Sequence, residues 1–296
     1  MKRALALLIA GALAMTADAQ DLLEKVKHNY ADNGGVKIHY AELGEGPAVL
    51  MIHGFPDFWY SWRNQMPALA ENHRVLAMDL RGYNESGQPE GQENYDMALL
   101  VADAAAVIEH AGVGKAAVVG HDWGGMVSWG LAAARPDLVE KLVILNLPYP
   151  TCLSRELANN PEQQANAAYA RGFQTPGSEL LLSGAFLAGI VAPKDEAARK
   201  VYIEAFNKSS FAAMMNCYRQ NYPKEPYTET AFPRITMPVL QFHGLDDKAL
   251  HADALNNTWK YLDSSWTLVT VPGASHWVHH DKPEVVTQTM VDWLKR

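Results

Sequence analysis

Hydrophobic and polar positions switch period repeatedly along this chain. Val36–Leu43 alternates like a half-buried strand, and Gly44-Glu45-Gly46-Pro47 forms a turn. Ala48–Ile52 is then a continuous apolar run, suited to a parallel strand buried on both faces. Trp59–Ala70 carries apolar residues at helical spacing, and Val75–Met78 is a second buried strand that ends at Asp79. Tyr95–His110 reads as a helix, Ala116–Val119 as a strand, Gly125–Ala134 as a helix and Val139–Leu145 as a strand. After a long interval the alternation resumes with Val239–Phe242 (strand), Ala249–Tyr261 (helix), Trp266–Val271 (strand) and Pro283–Leu294 (helix). Short apolar strands alternating with helices predict an α/β fold built on a mostly parallel, doubly wound sheet.

The pattern breaks between Pro150 and Phe232. That stretch has helical character, no convincing strand, and edges marked by Pro148, Pro150, Pro233 and Pro238. It is expected to be a helical cap, residues 150–232, inserted into a core domain made of residues 20–149 and 233–296. The cap would close over the C-terminal edge of the sheet, where open α/β sheets carry their sites. A chain of 296 residues with ordinary apolar content suffices for one large domain and such an insertion.

The N-terminus has a different logic. Lys2-Arg3, the apolar stretch Ala4 to Met15, and Ala17-Asp18-Ala19 before Gln20 read as a bacterial-type signal peptide over residues 1–19. Its apolar run falls short of the ~20 residues that a membrane-spanning helix needs. The expected location is therefore exported, periplasmic or secreted, with no stable membrane insertion after cleavage. Cleavage would leave the chain slightly more acidic than its formal charge of −8. With no basic run, nothing points to nucleic acid or an anionic membrane as partner. In an oxidising compartment Cys152 and Cys217 could pair or stay as separate buried thiols, and the sequence leaves both open. His279 and His280 are adjacent but lack the companions of a metal motif. Oligomeric state is equally open.

The chemistry centres on Gly120-His121-Asp122-Trp123-Gly124, between an apolar strand and a helix. It has the glycine spacing of a nucleophile elbow, with aspartate in place of serine. Flanking glycines suit a turn that holds its central residue in a sparsely populated backbone conformation with close neighbours. A serine attacking an sp3 carbon would end as an ether. A carboxylate gives an ester that water can cleave. Aspartate at this position therefore favours an electrophilic sp3 carbon, in an epoxide or an alkyl halide. The bland alternative is a helix N-cap.

Together these residues resemble the α/β-hydrolase superfamily, and within it the epoxide hydrolases, over essentially the whole mature chain. His53-Gly54-Phe55-Pro56 is similar to the family's oxyanion loop. The resemblance implies a hole made by the N–H groups of Phe55 and Trp123, and a cis bond before Pro56. Asp79-Leu80-Arg81-Gly82-Tyr83-Asn84-Glu85-Ser86 is similar to a structural loop, with Asn84 where the family commonly has glycine. Asparagine tolerates the left-handed backbone such a turn needs. Gly244-Leu245-Asp246-Asp247 matches the charge-relay loop at Asp247, with Asp246 a solvated neighbour. The other family position for that acid holds Asn146, which cannot carry the charge. Gly273-Ala274-Ser275-His276-Trp277 supplies the base, His276. His53 and His121 read as structural neighbours of these loops.

The cap carries what separates epoxides from halides. Epoxide opening develops an alkoxide and needs a proton donor. The family's two cap tyrosines match Tyr169, in Tyr169-Ala170-Arg171-Gly172-Phe173-Gln174, and Tyr218, in Asn216-Cys217-Tyr218-Arg219, where Cys217 replaces the usual aromatic. The implied catalytic set is Asp122, Asp247, His276, Tyr169 and Tyr218. Phe55, Trp123 and Phe173 would contact a small apolar epoxide, with water as co-substrate and no metal or organic cofactor. The alternative is a haloalkane or haloacid dehalogenase using the same aspartate. Against it, Phe55 follows Gly54 where an asparagine would hold halide, and all eight tryptophans lie outside the insertion. Trp123 also replaces the arginine that the haloacid enzymes tend to place there. A serine esterase is excluded by the lack of any Gly-x-Ser-x-Gly. The reading from another class is an exported, non-catalytic ligand binder.

Overall fold

A computed structural model describes residues 21–296, so the expected leader lies outside the described residues. Among these residues eight strands form one sheet: β1 (Lys27–Asn33), β2 (Val36–Leu43), β3 (Ala48–Ile52), β4 (Arg74–Met78), β5 (Ala116–His121), β6 (Val139–Leu145), β7 (Val239–Gly244) and β8 (Trp266–Val271). Their spatial order is β1-β2-β4-β3-β5-β6-β7-β8. β1 and β2 run antiparallel to their neighbours, and every pair from β4 to β8 is parallel. The continuous apolar runs are the central strands: every residue of β3, β5 and β7 is buried. Only helices on both faces can cover such strands. The fold is the α/β-hydrolase architecture, with a mostly parallel sheet.

Helix α1 (Met97–His110) starts where the Asp96 side chain caps the Ala98 N–H, two residues after its predicted start. Helix α2 (Trp123–Ala134) leaves the elbow. Between β6 and β7 the chain makes only helices and a short 3-10 turn: α3 (Pro150–Asn159), α4 (Pro161–Asn166), α5 (Ala168–Gln174), α6 (Gly184–Val191), α7 (Glu196–Lys208) and α8 (Phe211–Asn221). Helix α9 (Pro283–Leu294) ends the chain. No helix among the described residues is long and apolar enough to cross a membrane.

Three elements differ from the sequence pattern. β1 was not anticipated, because its residues Lys-His-Asn-Tyr-Ala-Asp-Asn bury only Ala31. It is an edge strand, and polar residues are what keep an exposed edge from pairing with another chain. The hairpin signal was the pair Gly34-Gly35, with φ of 61° and 90°. The helix expected at 249–261 is two 3-10 turns, Ala252–Leu255 and Thr258–Tyr261, interrupted where Asn257 adopts φ 69°. Likewise Trp59–Ala70 is a 3-10 turn, Trp59–Trp62, followed by a one-turn helix, Met66–Ala70, that starts afresh with proline in its first turn. Apolar spacing reported the buried face in both places without fixing the hydrogen-bond ladder beneath it. Cys152 and Cys217 are separate buried thiols.

The tightest constraint lies where α2 meets β3. A side chain at Gly124 would run into the carbonyl oxygens of Ile52 and His53, and one at Gly120 into Ser128 and Gly124. Gly124→Ala gains at most about 1 kcal/mol of helix propensity. Overpacking against backbone that cannot yield costs about 1–3 kcal/mol. The net effect expected is a lowered denaturant midpoint in equilibrium unfolding, with unchanged m-value.

Candidate active site

β5 delivers Asp122 in a conformation few residues adopt, φ 51° and ψ −122°. Such backbone costs of order 1–3 kcal/mol and persists only where its surroundings enforce it. Asp122 stands at the N-cap of α2, yet its side chain makes no capping bond. Its Oδ1 instead accepts from the Phe55 N–H at 2.8 Å, across the sheet. The loop that supplies this donor has the expected cis Phe55–Pro56 bond. Gly54 is required there, because a Cβ would collide with the Asp122 side chain. His53 fixes the loop: its Nδ1 donates to the Gly54 carbonyl at 2.8 Å and its Nε2 accepts from the Leu80 N–H at 3.0 Å.

His276, in the loop after β8, sits between two carboxylates. Its Nδ1 donates to Asp247 Oδ2 at 2.9 Å, and its Nε2 lies 3.4 Å from Asp122 Oδ2. The ring is held from behind, where His121 Nε2 donates to the His276 carbonyl at 2.8 Å. Asp247, after β7, accepts on Oδ1 from the N–H groups of Ala249 and Leu250 at 2.8 and 3.1 Å. Asn146 donates to Asp247 Oδ2 at 2.8 Å.

These contacts set the charges. Burial would raise the Asp122 carboxyl, but His276 and the N–H of Trp123 outweigh it and hold the group below its ordinary value. Burial opposes the Asp247 charge too, and His276 with Asn146 drives that carboxyl far below the usual carboxylate range. For His276 burial lowers proton affinity, yet the two carboxylates raise it to about 10. His121 has no such partner, and burial takes it down to about 4.

Tyr169 on α5 and Tyr218 on α8 face Asp122 across a cavity of about 210 Å³. Leu147, Leu153, Leu157 and Leu250 make part of its apolar wall. Burial pushes both phenols well above their ordinary value, reinforced by the Asp122 charge at Tyr169 and by Tyr169 and then Asp122 at Tyr218, so both stay protonated and can donate. Tyr169 shows 37% of its surface to solvent, so the burial belongs to its hydroxyl end and not to the whole ring. The Tyr218 ring stands edge-on to Trp123, Phe55 and Phe173 at centroid distances of 5.0, 5.5 and 5.1 Å. Trp123 lines the cavity, whereas Phe55 and Phe173 back Tyr218. Gln174 Nε2 donates to the carbonyls of Tyr218 and Tyr222, locking α5 to α8. Arg219 reaches the Thr175 carbonyl, Ser178 Oγ and Glu179. The glutamine and arginine beside the tyrosines in the two cap motifs thus hold one tyrosine against the other. A more open groove of about 770 Å³, lined in part by Leu22, Pro67 and Pro283, contains none of these groups.

A family profile described as alpha/beta hydrolase fold matches residues 47–283. A curated mouse protein named epoxide hydrolase 4 is 30% identical over 281 residues, spanning 89% of this chain and 77% of that protein. The chain belongs to the epoxide hydrolase family of α/β hydrolases. The Bacillus subtilis AB hydrolase superfamily protein YfhM is 32% identical over 291 residues, covering 92% of this chain and 99% of that one. Among solved structures, a variant of a Bacillus megaterium epoxide hydrolase complexed with its product, a naphthyloxy-propanediol, superposes with a TM-score of 0.85 at 29% identity. That match covers 90% of this chain and all of the other. The protein is a hydrolase of this family.

Two members of this hydrolase's site escaped the sequence. The sequence marks Asn146 only as a vacant acid position; its φ of 42° and its bond to Asp247 make it the acid's support. Asp57 follows the oxyanion loop and lies fully buried. Its signal was its place directly after His-Gly-Phe-Pro. The charge pattern also fixes a pH dependence. His276 has a raised proton affinity when folded, so its contribution to stability is complete below the free-imidazole value of about 6.5 and drains away as pH rises through about 10. Thermal unfolding followed between these pH values should show stability falling more steeply in the wild type than in His276→Gln, which has no proton to lose.

Proposed function

We propose that this protein hydrolyses an epoxide to a vicinal diol through a covalent ester on Asp122. The observation that carries the reading is a carboxylate at the elbow facing two protonated cap tyrosines across an apolar cavity. The two Asp122 oxygens differ. Oδ1 is engaged by the Phe55 N–H at 2.8 Å, whereas Oδ2 has the longer 3.4 Å contact with His276, so Oδ2 is the one placed to attack an epoxide carbon from the rear. Tyr169 and Tyr218 hydrogen-bond the epoxide oxygen, and one of them gives up a proton as the C–O bond breaks.

Ester formation removes the Asp122 charge. His276 then loses one of the two carboxylates that raise its proton affinity and keeps Asp247, which orients it through Nδ1. In its neutral form it takes a proton from water, and that water adds to the ester carbonyl carbon. Oδ1 becomes the oxyanion and stays with the N–H groups of Phe55 and Trp123. The diol leaves and the carboxylate reforms. The proton that His276 sheds replaces the one the tyrosine gave, the proton left on the added oxygen passes to the departing diol oxygen, and His276 keeps the proton it took from water, so the net reaction adds one water. The cavity is small and apolar, which fits a small uncharged epoxide. The N-terminal pattern supports export of the enzyme.

The test uses the mature chain with matched epoxides and haloalkanes. Diol should form with the wild type and not with Asp122→Ala. Tyr169→Phe and Tyr218→Phe should each slow ester formation by about 100-fold or more. His276→Gln should form the ester and stall, visible as a mass gain of one substrate. A single wild-type turnover in 18O-water should leave the label on Asp122 and not in the diol. Release of halide in place of diol would overturn the assignment.

A further inference from the structure

Asp57 is a buried carboxylate that the reaction above does not use. It lies two residues beyond Phe55, and its own N–H closes the turn onto the Gly54 carbonyl at 2.8 Å. Its Oδ1 accepts from the Tyr202 hydroxyl of α7 at 2.6 Å, and its Oδ2 accepts from Trp277 Nε1 at 2.9 Å. Trp277 directly follows His276, and the two rings meet edge to face at 5.2 Å. Tyr202 is itself fully buried against Phe58 and takes a bond from Arg63 at 3.3 Å. One carboxylate therefore joins the loop that carries an oxyanion donor, the loop that carries the base, and one helix of the cap.

Both of its partners are neutral donors, and neither is a cation. Burial accordingly pushes the Asp57 carboxyl above its ordinary value, with Tyr202, His53 and Trp277 opposing. A buried carboxylate with no cation in direct contact, Arg63 reaching only its partner Tyr202, is expensive as a stability device. As a spacer its chemistry is specific: two donors approach from opposite sides, and each needs an acceptor. Asparagine can accept from Tyr202, but its NH2 would then face the Trp277 N–H, donor against donor.

We propose that Asp57 is a positioning residue that sets the distance between the Phe55 N–H and His276, and so acts on ester hydrolysis far more than on ester formation. The proposal rests on the two-step reaction given above. Ester formation uses Asp122, held through Oδ1 by the Phe55 N–H, and the tyrosines on α5 and α8, which Asp57 does not touch, and it asks no proton transfer of His276. Hydrolysis needs His276 and the Phe55 N–H in register, and Asp57 links the segments that carry both.

The experiment compares Asp57→Asn, Trp277→Phe and the double variant with wild type, on an epoxide that the wild type turns over. Slowed hydrolysis after normal ester formation has a kinetic signature. kcat should fall on the order of 10- to 100-fold, as small misplacements of reacting groups do. KM should fall in step, leaving kcat/KM nearly constant. Denaturing mass spectrometry should find the ester accumulating at steady state. The double variant should be no slower than Asp57→Asn, because both changes cut one link. Unchanged kcat, or a loss of kcat/KM without ester accumulation, would overturn the proposal. If Asp57→Asn fails to fold, Trp277→Phe decides alone, since it keeps the aromatic packing and removes only the N–H. Absence of diol from the wild type would instead strike the reaction itself.

Discussion

Two buried carboxylates share one imidazole at the centre of this protein, and most of the surrounding structure follows from making that arrangement tolerable. Asp122 and Asp247 are each taken out of water, which alone would leave them neutral. His276 lies within reach of both, and backbone N–H groups from two loops donate hydrogen bonds to their other oxygens. The resting site is thus a charge balance with an excess of one negative charge. That excess sits on the oxygen with the fewest partners, Asp122 Oδ2. Reactivity and electrostatic compensation are in this sense the same statement.

The cap answers a different demand. In the proposed reaction a phenol gives a proton to a developing alkoxide and has to stay protonated beside an anion, and both burial and the Asp122 charge keep it so. It must also be aimed. The aromatic stack of Phe55, Phe173 and Trp123 around Tyr218 limits its tilt, and the Gln174 bonds prevent α5 and α8 from sliding apart. The two hydroxyls are therefore presented as one unit.

The sequence carried the fold further than the details of its hydrogen bonding. The central strands were legible because burial on both faces demands unbroken apolar runs, and the elbow because Gly120 and Gly124 admit close backbone approach. β1 was hidden because an edge strand with one buried residue has no such demand. The broken helix at 249–261 was hidden because apolar spacing is shared by a helix and by two successive 3-10 turns. The residues Asp122, Asp247, His276, Tyr169 and Tyr218 stood out by residue type at matched positions; the fold brings Asp122, Tyr169 and Tyr218 to one cavity and sets His276 and Asp247 in line beside Asp122. Asn146 and Asp57 did not stand out. Their work is to accept or donate a hydrogen bond across the sheet, and partners as distant in sequence as 101 and 220 residues leave no local trace.

The insertion divides the machinery as well as the sheet. β6 and β7 are neighbours in space, yet the whole cap is threaded between them. Asp122, the Phe55 donor and both tyrosines precede β7 in the chain, whereas Asp247 and His276 follow it. During synthesis from the N-terminus the proposed nucleophile and proton donors emerge first, and the histidine proposed to drive ester hydrolysis emerges last. In the proposed reaction, the groups that form the ester thus lie before β7 and the groups that hydrolyse it lie after. Pairing β7 with β6 also closes a long loop, whose entropic cost rises only slowly with its length. The late strand can therefore join without undue penalty, and it brings the two groups on which turnover depends in the proposed reaction.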